Sequence, residues 1–242
     1  MNMKNLHFTS VLVCFFLLCA GNAIGWAITQ QVAGSTAGIN FLFFGGMLTT
    51  LIFFFQILAF CTSRNRLSKQ LMFRAVGGFS IAWFMLSLAL PIFWIQDIEL
   101  ISKISLAAVS ISLVGANIKF GIRQFEENWS RKTTAIEEYI NRNSASSKWC
   151  KIEKILGTAV DVYIPGVPNW MNPIISISIL AAMILGLNLR KSFPTFSVFA
   201  WGIPCIIVVG IIMQMIAVLF LQAVKVNNLE QKFGFRFRSS ER

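Results

Sequence analysis

From Asn5 to Ser63 the chain carries no Lys, Arg, Asp or Glu, and this stretch holds two apolar runs that are each long enough to cross a bilayer. Covering about 30 Å of hydrocarbon takes roughly 20 predominantly apolar residues, and a charge at mid-bilayer costs at least about 2.5 kcal/mol. A long charge-free region is what lipid selects for, so an integral membrane protein is expected. Composition agrees: 56% of the 242 residues are hydrophobic, 23 are Phe and only 13% are charged, against roughly 25% charged in an average soluble domain.

The expected fold is all-α, a polytopic bundle of about six transmembrane helices with an amphipathic helical cytoplasmic region. The helices are expected at about 8–29, 37–62, 75–96 and 100–120, within 1–120, and at about 173–189 and 198–224. Residues 121–172 form the cytoplasmic region and 225–242 a basic, aromatic tail. Helix five is the shortest, near the lower limit for a span, with Asn172 suited to the N-cap and Pro173 to the first helical position.

Charge placement gives the orientation. With the N-terminus in the cytoplasm, Lys4, the cluster Arg64 to Arg74, the basic residues from Lys119 to Lys154 and those from Lys225 to Arg242 all lie inside. Of the 21 basic residues only Lys103, Arg190 and Lys191 fall outside. Cytoplasmic loops are the Lys- and Arg-rich ones, so both termini are expected in the cytoplasm of an inner-membrane protein. The net charge of +11 is then a product of topology, and a nucleic-acid partner is disfavoured. The segment Met1 to Ala23 imitates a secretory signal, with Lys4, an apolar run and small residues at Gly21 and Ala23. Its apolar character continues through Ile24, Trp26, Ala27 and Ile28, so an uncleaved first helix is expected.

Within 121–172 an apolar stripe of Ile122, Phe125, Trp129, Ile136 and Ile140 recurs at helical steps, continuing from Ile118 and interrupted once by Lys132. Apart from glycines at 115 and 121, nothing breaks a helix between Leu100 and Arg142, which predicts one rod of about 65 Å. Glu127 with Arg131, and Glu138 with Arg142, have the acid-first i to i+4 spacing. A second amphipathic segment sets Trp149, Ile152, Ile155, Leu156 and Ala159 against Lys148, Lys151 and Lys154, which suits a membrane surface or a face packed against the rod. Pro165, Gly166 and Pro168 then force a turn between Tyr163 and Trp170.

In the membrane region, Gly21 and Gly25, Gly34 and Gly38, and the doublet Gly45 and Gly46 offer close helix approach, expected mainly between helices one and two across a loop from Gln30 to Thr36. Asn22, Trp26 and Gln30 share one face of helix one, while Gln56, Asn117 and Gln214 bring single amides to other helices. Such amides are expected to hydrogen-bond neighbouring helices or to line a wet cavity.

Several activities lack their residues. No ionisable side chain lies at the centre of a span, which disfavours proton coupling. Paired membrane Asp and a His-Glu cluster are missing, as are both G-x-x-x-x-G-K-[ST] and G-x-G-x-x-G. The cysteines Cys14, Cys19, Cys61, Cys150 and Cys205 show no C-x-x-C spacing and read as small hydrophobes. No cofactor or metal is expected. The tail alternates Phe233, Phe235 and Phe237 with Gly or Arg, which suits an interfacial anchor or a strand-like docking peptide better than single-stranded nucleic acid.

Two function classes follow. One is a non-catalytic multi-pass inner-membrane protein of bacterial type, a subunit, anchor or effector whose partners are the lipid bilayer and other membrane or cytoplasmic subunits, bound through 121–172. The other is a homo-oligomeric channel or passive solute pathway lined by Asn22, Gln30, Gln56, Asn117 and Gln214.

Overall fold

A computed structural model describes residues 3–63, 66–143, 152, 167–234 and 237. Every element among them is helical: α1 (Met3–Ala33), α2 (Ser35–Thr62), α3 (Leu67–Ala89), α4 (Leu100–Asn143), α5 (Asn172–Leu189) and α6 (Pro194–Phe233). A 3-10 turn, Leu90–Trp94, extends α3, and another, Asn169–Met171, precedes α5. Five helices are long and apolar enough to cross a bilayer: α1, α2, α3 with its extension, α4 and α6. α5 is apolar but shorter, so among the described residues five helices, not the expected six, are of span length.

Most helices are longer than the hydropathy boundaries suggested. The expected loop from Gln30 to Thr36 shrinks to Gly34, whose φ of 87° lies in the left-handed region that favours glycine. The Gly34 N–H still donates to the Gln30 carbonyl at 3.1 Å, so α1 is continued into the turn itself. α3 starts at Leu67 rather than at 75 because Leu67 and Leu71 are buried in a core cluster, and it loosens to 3-10 at Pro91, which lacks the N–H that an α-helix would use. α4 is the rod anticipated from the stripe, unbroken for 44 residues. α6 begins four positions earlier than expected and runs nine further, to a left-handed Gly234 with φ 68° that closes it as a C-terminal glycine does.

α3 is central and packs on α1, α2 and α6, while α4 and α5 lie against α6. The helices share two ends. At one, Leu67 and Leu71 of α3 join Phe125, Trp129, Ile136 and Ile140 of α4 and Ala223, Val226 and Leu229 of α6 in the largest buried cluster. At the other, Ile92 and Ile95 meet Val198, with Ile28, Val32 and Leu106 beside them. Arg66 and Lys69 at the start of α3 and the basic residues of distal α4 and α6 thus share the first end. Arg190 lies at the second, donating two hydrogen bonds to Gln31 Oε1 at 3.1 and 2.9 Å.

α4 and α6 run parallel in fixed register. Asn117 faces Gly210 and Gln214 faces Gly121, Lys225 lies over the Trp129 ring at 5.6 Å, and Lys232 Nζ meets Glu137 Oε1 at 2.7 Å. Outside, the bundle is apolar, with Phe43 72% and Ile111 73% exposed. Inside, it buries Asn22, Gln56, Ser80, Asn117 and Gln214. Long apolar helices with this arrangement are compatible with a membrane protein.

Candidate functional site

Glycine decides where the first three helices meet. A Cβ on Gly21 would sit 3.0 Å from Ser87 Oγ and 3.2 Å from Phe84 Cα, and one on Gly25 would sit 2.8 Å from the Ser87 carbonyl and clash with the edge of the Phe41 ring. The notch formed by Gly21 and Gly25 therefore receives α3 at Gly21 and both Phe41 of α2 and the backbone of α3 at Gly25. Phe41 is fully buried and stacks on Trp83 at 6.5 Å between centroids, with Trp94 edge-on at 5.6 Å. Gly45 makes room for Asn22, whose Oδ1 would lie 2.5 Å from a Cβ there. A Cβ on Gly46 would meet nothing within 4 Å, so this glycine is not needed for close approach in this seam.

Asn22 ties three helices together. Its Nδ2 donates to Thr49 Oγ1 of α2 at 2.7 Å, and its Oδ1 accepts from Trp83 Nε1 of α3 at 3.1 Å. Interhelical hydrogen bonds in membrane bundles average about 0.6 kcal/mol, but removing one partner of a buried pair leaves the other unpaired at a cost of about 1–3 kcal/mol. Asn22→Leu should thus destabilise the purified chain by about 1–3 kcal/mol, and adding Trp83→Phe should cost less than the sum of the two single changes. A thermal-melt double-mutant cycle in detergent measures this. Strict additivity would refute the coupling.

The other amides form separate contacts. Gln56 Oε1 accepts from Ser80 Oγ at 3.1 Å across α2 and α3. Asn117 Nδ2 donates to the Leu113 carbonyl of its own helix at 2.9 Å, and its side chain lies 3.1 Å from where a Gly210 Cβ would be. One turn on, Gln214 Cγ occupies the place of a Cβ on Gly121, at 2.5 Å. Each helix of the α4–α6 pair thus lays an amide over the other's glycine. Among the described residues, Gln56 Nε2, Asn117 Oδ1 and Gln214 Oε1 are buried without a hydrogen-bond partner. Gln30 and Trp26 share the Asn22 face by spacing and lie over Gly38 of α2, within 3.0 and 3.2 Å of where its Cβ would be, but they are exposed.

The amphipathic stripe is occupied within the chain. Phe125, Trp129, Ile136 and Ile140 are buried against α6 in one cluster with Ile152 and Phe237, and Ile122 is half-buried. Phe237 folds back past Gly234, its N–H donating to Glu230 Oε1 at 3.1 Å, and Phe233 packs at the cluster's edge. Trp149 and Phe235 lie outside the described residues, as does most of the second amphipathic segment. Glu127 pairs with Arg123 at 2.8 Å rather than with Arg131. That hydrogen bond, then the Arg123 charge, holds the Glu127 carboxyl below its usual range, with Arg131 adding a smaller pull.

Sequence reasoning missed Thr49, Ser80 and Trp83 as amide partners and Gly210 as the seat of Asn117. Gly210 and Gln214, four apart on α6, mirror Asn117 and Gly121 on α4, and that reversed spacing was the available signal. Among the described residues no group of three or more His, Cys, Asp or Glu comes together. Compared with family models, with curated proteins and with solved structures, the chain matches none.

Proposed function

We propose that the chain is a non-catalytic, multi-pass protein of a bacterial inner membrane, with both termini in the cytoplasm, serving as a subunit, anchor or effector of a larger membrane complex. The α4–α6 pair carries this reading. At 44 and 40 residues the two helices measure about 66 and 60 Å, twice the roughly 30 Å of hydrocarbon, so the pair projects as a stalk at the basic end. Because α6 takes up the apolar stripe, the partner surface we assign is the outer charged face of α4, where Arg123, Glu126 and Arg131 are exposed. Reversing the charges of Glu126 and Arg131 should release the partner in a mild-detergent pull-down while leaving the chain's own elution unchanged. A chain that leaves its native membrane as a lone monomer sinks the proposal.

A second reading, an oligomeric channel or passive pathway, draws on the buried amide atoms without partners at Gln56, Asn117 and Gln214. The two readings part at Gln214→Leu. If the amide only packs, exchanging an unpaired buried group for an apolar one of similar size is neutral or stabilising, by up to about 1 kcal/mol, and liposomes holding the protein stay tight. If the amide lines a pathway, the protein leaks a solute and the substitution changes the flux.

A further inference from the structure

A cleft of about 650 Å³ opens between α2 and α3, with Phe220 of α6 contributing to its wall. Its size falls within the range of small-molecule sites. Along α2 the lining runs from Leu51 to Thr62 and along α3 from Phe79 to Lys69, a length of about 15 Å at 1.5 Å per residue. That is one leaflet's share of a hydrocarbon layer about 30 Å thick. All but two of the lining side chains are apolar, and both exceptions, Thr62 and Lys69, sit at the same end. The Thr62 hydroxyl is already turned to its own helix, donating to the Leu58 carbonyl at 3.0 Å, so Lys69 is the group left to recognise a ligand there.

Charge says what that ligand is. The sequence has no Asp or Glu before Asp97, yet Arg66 immediately precedes α3 and Lys69 and Arg74 lie in its first two turns, at this end. Among the described residues no carboxylate pairs with Lys69. A basic residue at the cytoplasmic mouth of a groove between membrane helices suits a lipid phosphate. We propose that the cleft holds one anionic glycerophospholipid of the cytoplasmic leaflet, an acyl chain lying between Phe55 and Val76 and the phosphate on Lys69. This deepens the membrane reading above and rests on it.

Native mass spectrometry of the full chain with added phosphatidylglycerol tests it. One retained lipid per chain is expected, with phosphatidylcholine retained more weakly. Lys69→Gln should weaken retention about fivefold, the share of one basic residue near the surface, and Lys69→Arg should restore it. Ala59→Trp, which fills the cleft wall without touching the charge, should abolish retention, whereas Lys103→Gln at the opposite end should change nothing. Retention that survives both Lys69→Gln and Ala59→Trp overturns the proposal. So does a dimer that Ala59→Trp dissociates, which would make a second copy the occupant. Extraction of the chain from membranes by alkaline carbonate would instead defeat the membrane reading itself.

Discussion

Gly25→Leu is expected to prevent the bundle from assembling. Overfilling a packed interior costs about 1–3 kcal/mol when side chains can yield, and more when they cannot. At Gly25 even a Cβ would lie 2.8 Å from the backbone carbonyl of Ser87 and against the edge of the fully buried Phe41 ring, so the obstacle is main chain on one side and an enclosed aromatic on the other. The loss should exceed about 3 kcal/mol, read as absence of a monodisperse folded peak in detergent. Gly46→Ala on the next helix is the control. With open space around Gly46, it should be neutral or slightly stabilising, by at most about 1 kcal/mol, the helix-propensity gain of alanine over glycine. Equal behaviour of the two variants would mean that α1 and α3 do not meet at this notch.

Phe125→Ala should cost about 3–5 kcal/mol, as expected for truncating a large buried aromatic. Phe125 is 2% exposed and shares a cluster with Trp129, Ile136 and Val226. The effect should be local. Distal α4 and α6 should separate and become protease-sensitive around Arg131, while the Asn22, Thr49 and Trp83 junction stays folded. This outcome distinguishes a stripe packed within the chain from one reserved for another protein, since a vacant docking face would tolerate alanine in the isolated chain.

Parts of this fold were legible because they depend on one helix at a time. The charge-free stretch marked α1 and α2, and the steps from Phe125 to Ile140 forecast both an unbroken α4 and the face it buries. Periodicity names a face, not its partner. That the stripe belongs to α6 depends on a parallel pairing with a partner more than 90 positions away, fixed by Asn117 on Gly210 and Gln214 on Gly121. Helix ends were read too short because hydropathy falls where basic residues begin, whereas Leu67, Val226 and Leu229 keep the helical ladder buried beyond that border. Asn22 and Gln30, alike by spacing, differ in burial because only the former lies level with Gly45 and Trp83.

The parallel pairing of α4 with α6 also sets an order in time. Parallel neighbours cannot be joined by a tight turn, so the chain must return across the bundle before α6 can be made. Phe125 and Val226 are roughly 100 residues apart, which at about 5–20 residues per second is about 5–20 s of synthesis. For that interval the stripe of the nascent rod lacks its α6 mate, and a chaperone or the bilayer surface must shelter it until α6 leaves the ribosome.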